Sequence, residues 1–148
     1  MLKKLFLFIL FFCFSFGEEL EEYISKCNNG DSKACLEAGV FYDSKEKDII
    51  KRRELQKPLF QNGCDLGNGM SCLNLHSIYI FENKFIEALQ CLKTGCENLN
   101  HPTSCQQLGL AYKMGDYGLN KDIKKAKFYY KKACKLGSQL SCNYAKEL

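Results

Sequence analysis

The sequence predicts an all-α fold, an α/α solenoid of helical hairpins that intra-repeat disulfides staple together. Three observations carry that expectation. Eight cysteines fall into pairs, Cys27/Cys35, Cys64/Cys72, Cys96/Cys105 and Cys134/Cys142, with seven residues inside three pairs and eight inside the third. The first members of successive pairs lie 37, 32 and 38 residues apart, the period of stacked helical hairpins. Between the pairs, apolar residues recur at helical rather than strand spacing.

Aligned on the second cysteine of each pair, 35–42, 72–79 and 105–112 all place a tyrosine seven residues after the cysteine. One face of this segment, helix A, then carries Cys35, Ala38, Gly39 and Tyr42, next Cys72, Leu75, His76 and Tyr79, and next Cys105, Leu108, Gly109 and Tyr112. Gly39 and Gly109 allow a neighbouring helix close to the backbone, and the copy with His76 must pack differently.

Read backwards from the first cysteine of the next pair, a second segment, helix B, is amphipathic. In 122–134 its stripe is Ile123, Ala126, Tyr130 and Ala133, and in 83–96 it is Phe85, Ala88, Leu92 and Gly95. In 48–64 Arg53 and Gln56 replace apolar and small residues, and Pro58 predicts a kink or a shortened helix.

The strings inside the cysteine pairs are rich in Gly, Asn and Ser, which end one helix and cap the next. A tight turn holds the two cysteines together, and closing a nine-residue loop contributes about 2.5 kcal/mol on the chain-entropy account. Zinc is the rival use of paired cysteines, but its structural sites favour gaps of two to four residues. No metal and no cofactor are expected. Cys91 is the odd thiol of the repeat region, in the helix B slot that Leu59 and Tyr129 hold elsewhere. It is expected to be a free thiol acting as a small buried hydrophobe, the alternatives being a reactive thiol or an intermolecular bridge.

At 148 residues, with 46% hydrophobic and 26% charged residues, the chain has one domain's worth of core. Residues 1–17 read as a signal peptide: Lys3 and Lys4, an apolar run from Leu5 to Phe14, then Ser15 and Gly17 before the acidic start of 18–148. The run is shorter than the roughly 20 residues a membrane span needs. An uncleaved anchor and lipidation at Cys13 are the rivals. Without Lys3 and Lys4 the charge falls from +4 to +2, which gives no argument for nucleic acid. Paired cysteines behind a leader place the mature chain in the periplasm or outside the cell, with no stable membrane insertion after cleavage.

The segments 134–142, with Cys at both ends, 125–134, with Lys-Ala, Tyr-Tyr and Ala-Cys, and 108–122, with Leu108-Gly109, Tyr112 and a Gly-rich link, occur in register. On these residues the chain resembles the Sel1-like repeat proteins of the Helicobacter cysteine-rich type. The likeness covers roughly 18–148 and is strongest over 96–148. Its departures are the 32-residue second copy, which lacks the Gly-rich link, and Pro58. The resemblance implies a right-handed, tetratricopeptide-like superhelix whose concave surface suits a partner. Some relatives have been called penicillin-binding proteins or putative β-lactamases.

That second implication finds thin support. Ser44-x-x-Lys47, Ser141-x-Asn143 and Lys93-Thr-Gly95 match the three serine-lactamase motifs in form. The first two are expected by chance at this serine, lysine and asparagine content, and the third fills a helix B ending that reads Gln61-Asn62-Gly63 in another copy. No catalytic residue is assigned. His76 is expected to be a packed helix residue, His101 an exposed turn residue, and the lysine face of 121–135 a solvated surface.

The repeats are placed at about 27–63, 64–95 and 96–133, with a terminal half-repeat at 134–148. The expected function is an exported scaffold that binds a protein, peptide or peptidoglycan fragment on its concave face. The alternative is weak β-lactam binding or hydrolysis.

Overall fold

The computed structural model describes residues 17–148; the expected leader up to residue 16, with Cys13, lies outside the described residues. Among the described residues there are helices and no strands. Helix α1 occupies 17–28, followed by α2 (Ser32–Lys45), α3 (Ile49–Asp65), α4 (Gly69–Phe81), α5 (Phe85–Lys93), α6 (Pro102–Met114), α7 (Ile123–Lys135) and α8 (Gln139–Glu147). Even-numbered helices are of type A and odd-numbered ones of type B, because B ends on the first cysteine of a pair and A begins near the second. The described residues therefore form three A–B hairpins, with a B helix, α1, before them and an A helix, α8, after them. No described helix is long and apolar enough to cross a membrane.

Each helix packs on the next in order, and the A helices also touch across repeats, α2 on α4 and α4 on α6. The B helices make less contact with one another. The repeating face of the A helices is buried as its spacing predicts: Cys35, Ala38, Cys72, Cys105 and Leu108 are fully shielded, and Leu75 nearly so. On the B side Ala88, Leu92, Ala126, Tyr130 and Ala133 are buried, whereas Phe85 and Ile123, expected in the same stripe, are exposed. Both are the first residues of their helices.

All four turns between B and A are built alike. A residue with positive φ (Gly30, Gly67, Asn100 or Gly137) reverses the chain. The next residue (Asp31, Asn68, His101 or Ser138) caps the following helix through its side chain. His101 is thus an N-cap rather than an exposed turn residue: its Nδ1 accepts from the Ser104 amide at 3.3 Å. The sulfurs join in four disulfides, Cys27–Cys35, Cys64–Cys72, Cys96–Cys105 and Cys134–Cys142, with Cα separations of 4.5 to 4.7 Å. The third pair spans one residue more than the others. That residue is absorbed by a π-helical turn over Thr94–Asn98, in which the Leu99 amide donates back to the Thr94 carbonyl.

Pro58 neither shortens nor ends α3, which at 17 residues is the longest of the helices α2 to α8. The proline removes one backbone donor, but the helix is held on both sides of it. Leu59 and Phe60 are buried after it, and before it the buried Gln56 amide donates to the Gly39 carbonyl at 3.0 Å and to Asp43 Oδ1 at 2.9 Å. Gln56 thereby does with hydrogen bonds what Ala88 and Ala126 do by being small.

Candidate functional site

The row of A helices presents the surface with the clearest order. Counted from its cysteine, each A helix turns three positions outward: two residues before, five after and nine after. Every large apolar side chain exposed on an A helix falls in these slots: Met70 and Leu140 in the first, Val40 and Leu110 in the second, Phe81 and Met114 in the third. Their exposures run from 41% to 61%, too open to serve the core. Polar residues share the slots, Lys33 and Thr103, Ser77, and Ser44, so the face mixes apolar patches with hydrogen-bonding groups. Isolated surface apolar residues are ordinary, but a set in register along one face is what interaction surfaces show.

A cleft of about 160 Å³ opens where this face meets α3, lined among others by Arg52, Arg53, Gln56, Asn74 and Ser77. The Arg53 guanidinium lies over the Phe81 ring at 3.6 Å from its centroid, which fixes the aromatic at the edge of the cleft. Arg52 Nε approaches Asp43 at 3.7 Å. Arg53, which breaks the apolar pattern of helix B, belongs to this surface rather than to the core.

A second cleft, of about 240 Å³, lies between α3, α4 and α5 and contains Cys91, Tyr79, Asp65 and Glu87. Cys91 is buried and unbridged. Burial, with the Asp65 carboxylate as a lesser contribution, pushes its thiol up to about 11, so it is a neutral thiol at physiological pH and a poor nucleophile. The cleft rim is tied by Lys57, whose ammonium donates to Glu82 at 2.6 Å and sits 4.7 Å from the Tyr79 ring centroid. The hydrogen bonds from Lys57 and Lys84 hold the Glu82 carboxyl below its usual range.

His76 is a packed residue, as its position in helix A implies. Its Nδ1 meets the Ala88 carbonyl at 3.0 Å and its ring stands edge-on to Tyr117 at 5.6 Å. Desolvation lowers its pKa, the Ala88 contact opposing that in part. His101 is also lowered, by burial.

The three lactamase-like triplets are parts of different hairpins. Ser44 is exposed on the last turn of α2 and donates to the Phe41 carbonyl at 3.1 Å. Lys93 ends α5. Ser141 is wholly buried on α8, next to the bridged Cys142, with its hydroxyl donating to Gln106 Oε1 at 3.1 Å. A buried serine whose hydroxyl is engaged by a neighbouring helix offers no oxygen to a substrate carbonyl. Among the described residues no three His, Cys, Asp or Glu side chains come together as a metal site requires.

Sequence reading found the cysteines, the A-helix face and the histidine that departs from it. It missed the outward slots, because exposed apolar residues leave no periodic signal until the packing of the A helices is known. It expected small polar residues to cap these helices but did not single out Asp31, Asn68, His101 and Ser138, which an alignment of the residues three before each Ala34 or buried serine would have exposed.

Comparison with known proteins agrees with this architecture. Residues 102–138, which hold α6, α7 and the turn into α8, match the Sel1 repeat. Among solved structures, cysteine-rich protein B of Helicobacter pylori is similar over 88% of this chain and 94% of its own, at 23% identity and a TM-score of 0.66. A Sel1 repeat protein of Oxalobacter formigenes is similar over 87% of this chain and 98% of its own, at 19% identity and a TM-score of 0.70. A protective antigen of uropathogenic Escherichia coli with an SLR fold covers 85% of this chain, which matches 27% of that larger protein, at 20% identity and a TM-score of 0.66. No curated protein matches in sequence. Residues 102–138 are a Sel1 repeat, and the described chain as a whole has the α/α solenoid fold of Sel1 repeat proteins.

Proposed function

We propose that this chain is an exported scaffold that binds a protein or peptide partner on the inner face of its A helices. The observation that carries the reading is the set of exposed apolar side chains Val40, Met70, Phe81, Leu110, Met114 and Leu140, which fall in only three slots of the repeat. A run of apolar contacts spaced by one repeat suits an extended polypeptide, while the guanidinium pair Arg52 and Arg53 beside Phe81 suits a carboxylate on it. A peptidoglycan fragment would also present carboxylates and amides, and is the second ligand class to test.

Export through the leader of residues 1–17 fits the four disulfides, which persist in oxidising compartments. The experiment is site-specific photocrosslinking in bacterial envelope extract, with the crosslinker at Leu110 or Phe81 and, as controls, at Ile86 and Phe128 on the B helices. One discrete adduct at the inner positions and none at the controls is expected, and its peptide or glycan mass identifies the ligand class. Equal labelling at all four positions, or none, contradicts the reading.

A further inference from the structure

The cleft between α2, α3 and α4 holds a hydrogen-bond donor that the fold leaves unanswered. Arg53 lines this cleft, and its Nη1 is buried without a hydrogen-bond partner. The guanidinium sits over the Phe81 ring, 3.6 Å from its centroid, which leaves its in-plane N–H groups for a second interaction. Among the described residues no carboxylate pairs with Arg53. Asp43, the acid in the cleft lining, is engaged elsewhere: its Oδ1 accepts from Gln56 Nε2 at 2.9 Å and faces Arg52 Nε at 3.7 Å. With Arg52, Arg53 and Asp43 together, the cleft keeps one positive charge in excess.

Packing of the hairpin does not require an arginine there. Eleven residues before the B-helix cysteine, where Arg53 stands, the other two hairpins carry Phe85 and Ile123, each the first residue of its helix. Helix α3 instead begins at Ile49, four residues earlier, and this additional turn carries Arg52. Across the cleft, on α4, the second outward slot holds Ser77 where α2 and α6 hold Val40 and Leu110, and Asn74 lies about one turn before it. Departures from the repeat on two helices thus converge on one cleft.

We propose that this cleft is a carboxylate site, in which Arg53 and Arg52 donate to the two oxygens of the carboxylate. A guanidinium matches a carboxylate with two parallel N–H donors, and a buried donor gains most from a charged acceptor. Asp43, whose side chain is 59% exposed, accepts an N–H adjacent to that carboxylate. A phosphate monoester carries about −1.5 to −2 charges, more than the single excess positive charge offsets beside Asp43.

A polypeptide offers a carboxylate next to an N–H in two ways, at its C-terminal residue and at an aspartate within the chain. The cleft, about 160 Å³, admits one such group. That the carboxylate belongs to a polypeptide rests on the binding function proposed above, whereas the assignment of the cleft to a carboxylate rests on the side chains just described.

Nuclear magnetic resonance of the oxidised protein, expressed from its full coding sequence with isotope-labelled arginine, tests this through the side-chain N–H signals of Arg52 and Arg53. The probes are N-acetylglycine for a chain end, N-acetylaspartic acid α-methylamide for a side chain, N-acetylglycine methylamide as a neutral control, and inorganic phosphate. Saturable shifts are expected with the carboxylates, at least about tenfold tighter than with the neutral control, and the tighter carboxylate identifies the source. Arg53→Lys keeps the charge but loses the fork and should weaken binding at least about fivefold, read at Arg52. Ser77→Asp, at an exposed position of α4, leaves Arg53 in place, supplies a carboxylate of its own and should abolish binding. The proposal is overturned by no saturable shift, by equal binding of the neutral control, or by tighter binding of phosphate than of both carboxylates. Unchanged affinity in either variant, folded by circular dichroism, also overturns it. These probes do not extend to the slots on α6, so failure here leaves an adduct at Leu110 standing, and absence of that adduct leaves probe binding standing.

Discussion

Gly95 at the end of the α5 segment lies against the buried Ser104 at the start of α6: a Cβ on Gly95 would fall 2.9 Å from that of Ser104. Gly63 stands in the same relation to Ser71, at 2.8 Å. These contacts flank the disulfides and set how closely B and A helices approach at each turn. The glycine of Lys93-Thr94-Gly95 therefore has a packing role, and the triplet needs no chemistry to explain it. Gly95→Ala is expected to destabilise the fold by about 1–3 kcal/mol through overpacking, measured as a lower urea midpoint at unchanged slope. The slot is held by alanine at position 133, so Ala133→Gly should cost only about 1 kcal/mol of helix propensity.

The three serines before the helix A cysteines are equally buried but differ in their partners. Ser104 Oγ meets His101 Nδ1 at 3.0 Å and Ser141 Oγ meets Gln106 Oε1 at 3.1 Å, whereas Ser71 Oγ has no partner. In the first hairpin the slot is taken by buried Ala34. Ser71→Ala should thus be neutral or stabilising, while Ser104→Ala and Ser141→Ala each lose about 1 kcal/mol. Thermal melts of the three variants side by side decide it, and an equal loss in all three would be inconsistent with the hydrogen-bond pattern.

Stability should fall as pH drops through the histidine range. Burial lowers the pKa of both His76 and His101 in the folded chain. The unfolded chain therefore binds protons first, near pH 6.5, and stability present above that value is lost as pH falls below it. Melting temperatures between about pH 7.5 and pH 5 should decline, and His76→Gln should reduce the slope. A flat profile would place both imidazoles in solvent.

Cys91 should resist thiol reagents while the protein is folded. With its thiol pushed to about 11 and its sulfur buried, modification by a disulfide reagent at pH 8 is expected to be slow until denaturant is added. Cys91→Ala leaves a small void and should cost about 1–2 kcal/mol. Rapid labelling of the native protein would instead mark the α3–α4–α5 cleft as open to reactive ligands.

How much of this could be read in the sequence follows from what repeats. The cysteine pairs, the A-helix face and the small residues of the B stripe recur, so their positions follow from period alone. Pro58 did not shorten α3, because Gln56 and Phe60 hold that helix through contacts with α2 that only the fold creates. Phe85 and Ile123 had the right period but stand exposed at the first position of their helices. The extra residue between Cys96 and Cys105 was visible, but its accommodation in a π-turn depends on backbone geometry. The outward slots were hidden for a different reason: which positions of the A helices stay exposed is settled by how the helices stack, and not by any one segment.

The account rests most heavily on covalent pairing of consecutive helices. Intact mass of the purified protein after alkylation in denaturant without reductant tests it directly. One alkyl group on a chain processed at residue 17 is the expected result, on Cys91, with the four bridges surviving. Addition at all nine cysteines of that chain would contradict it.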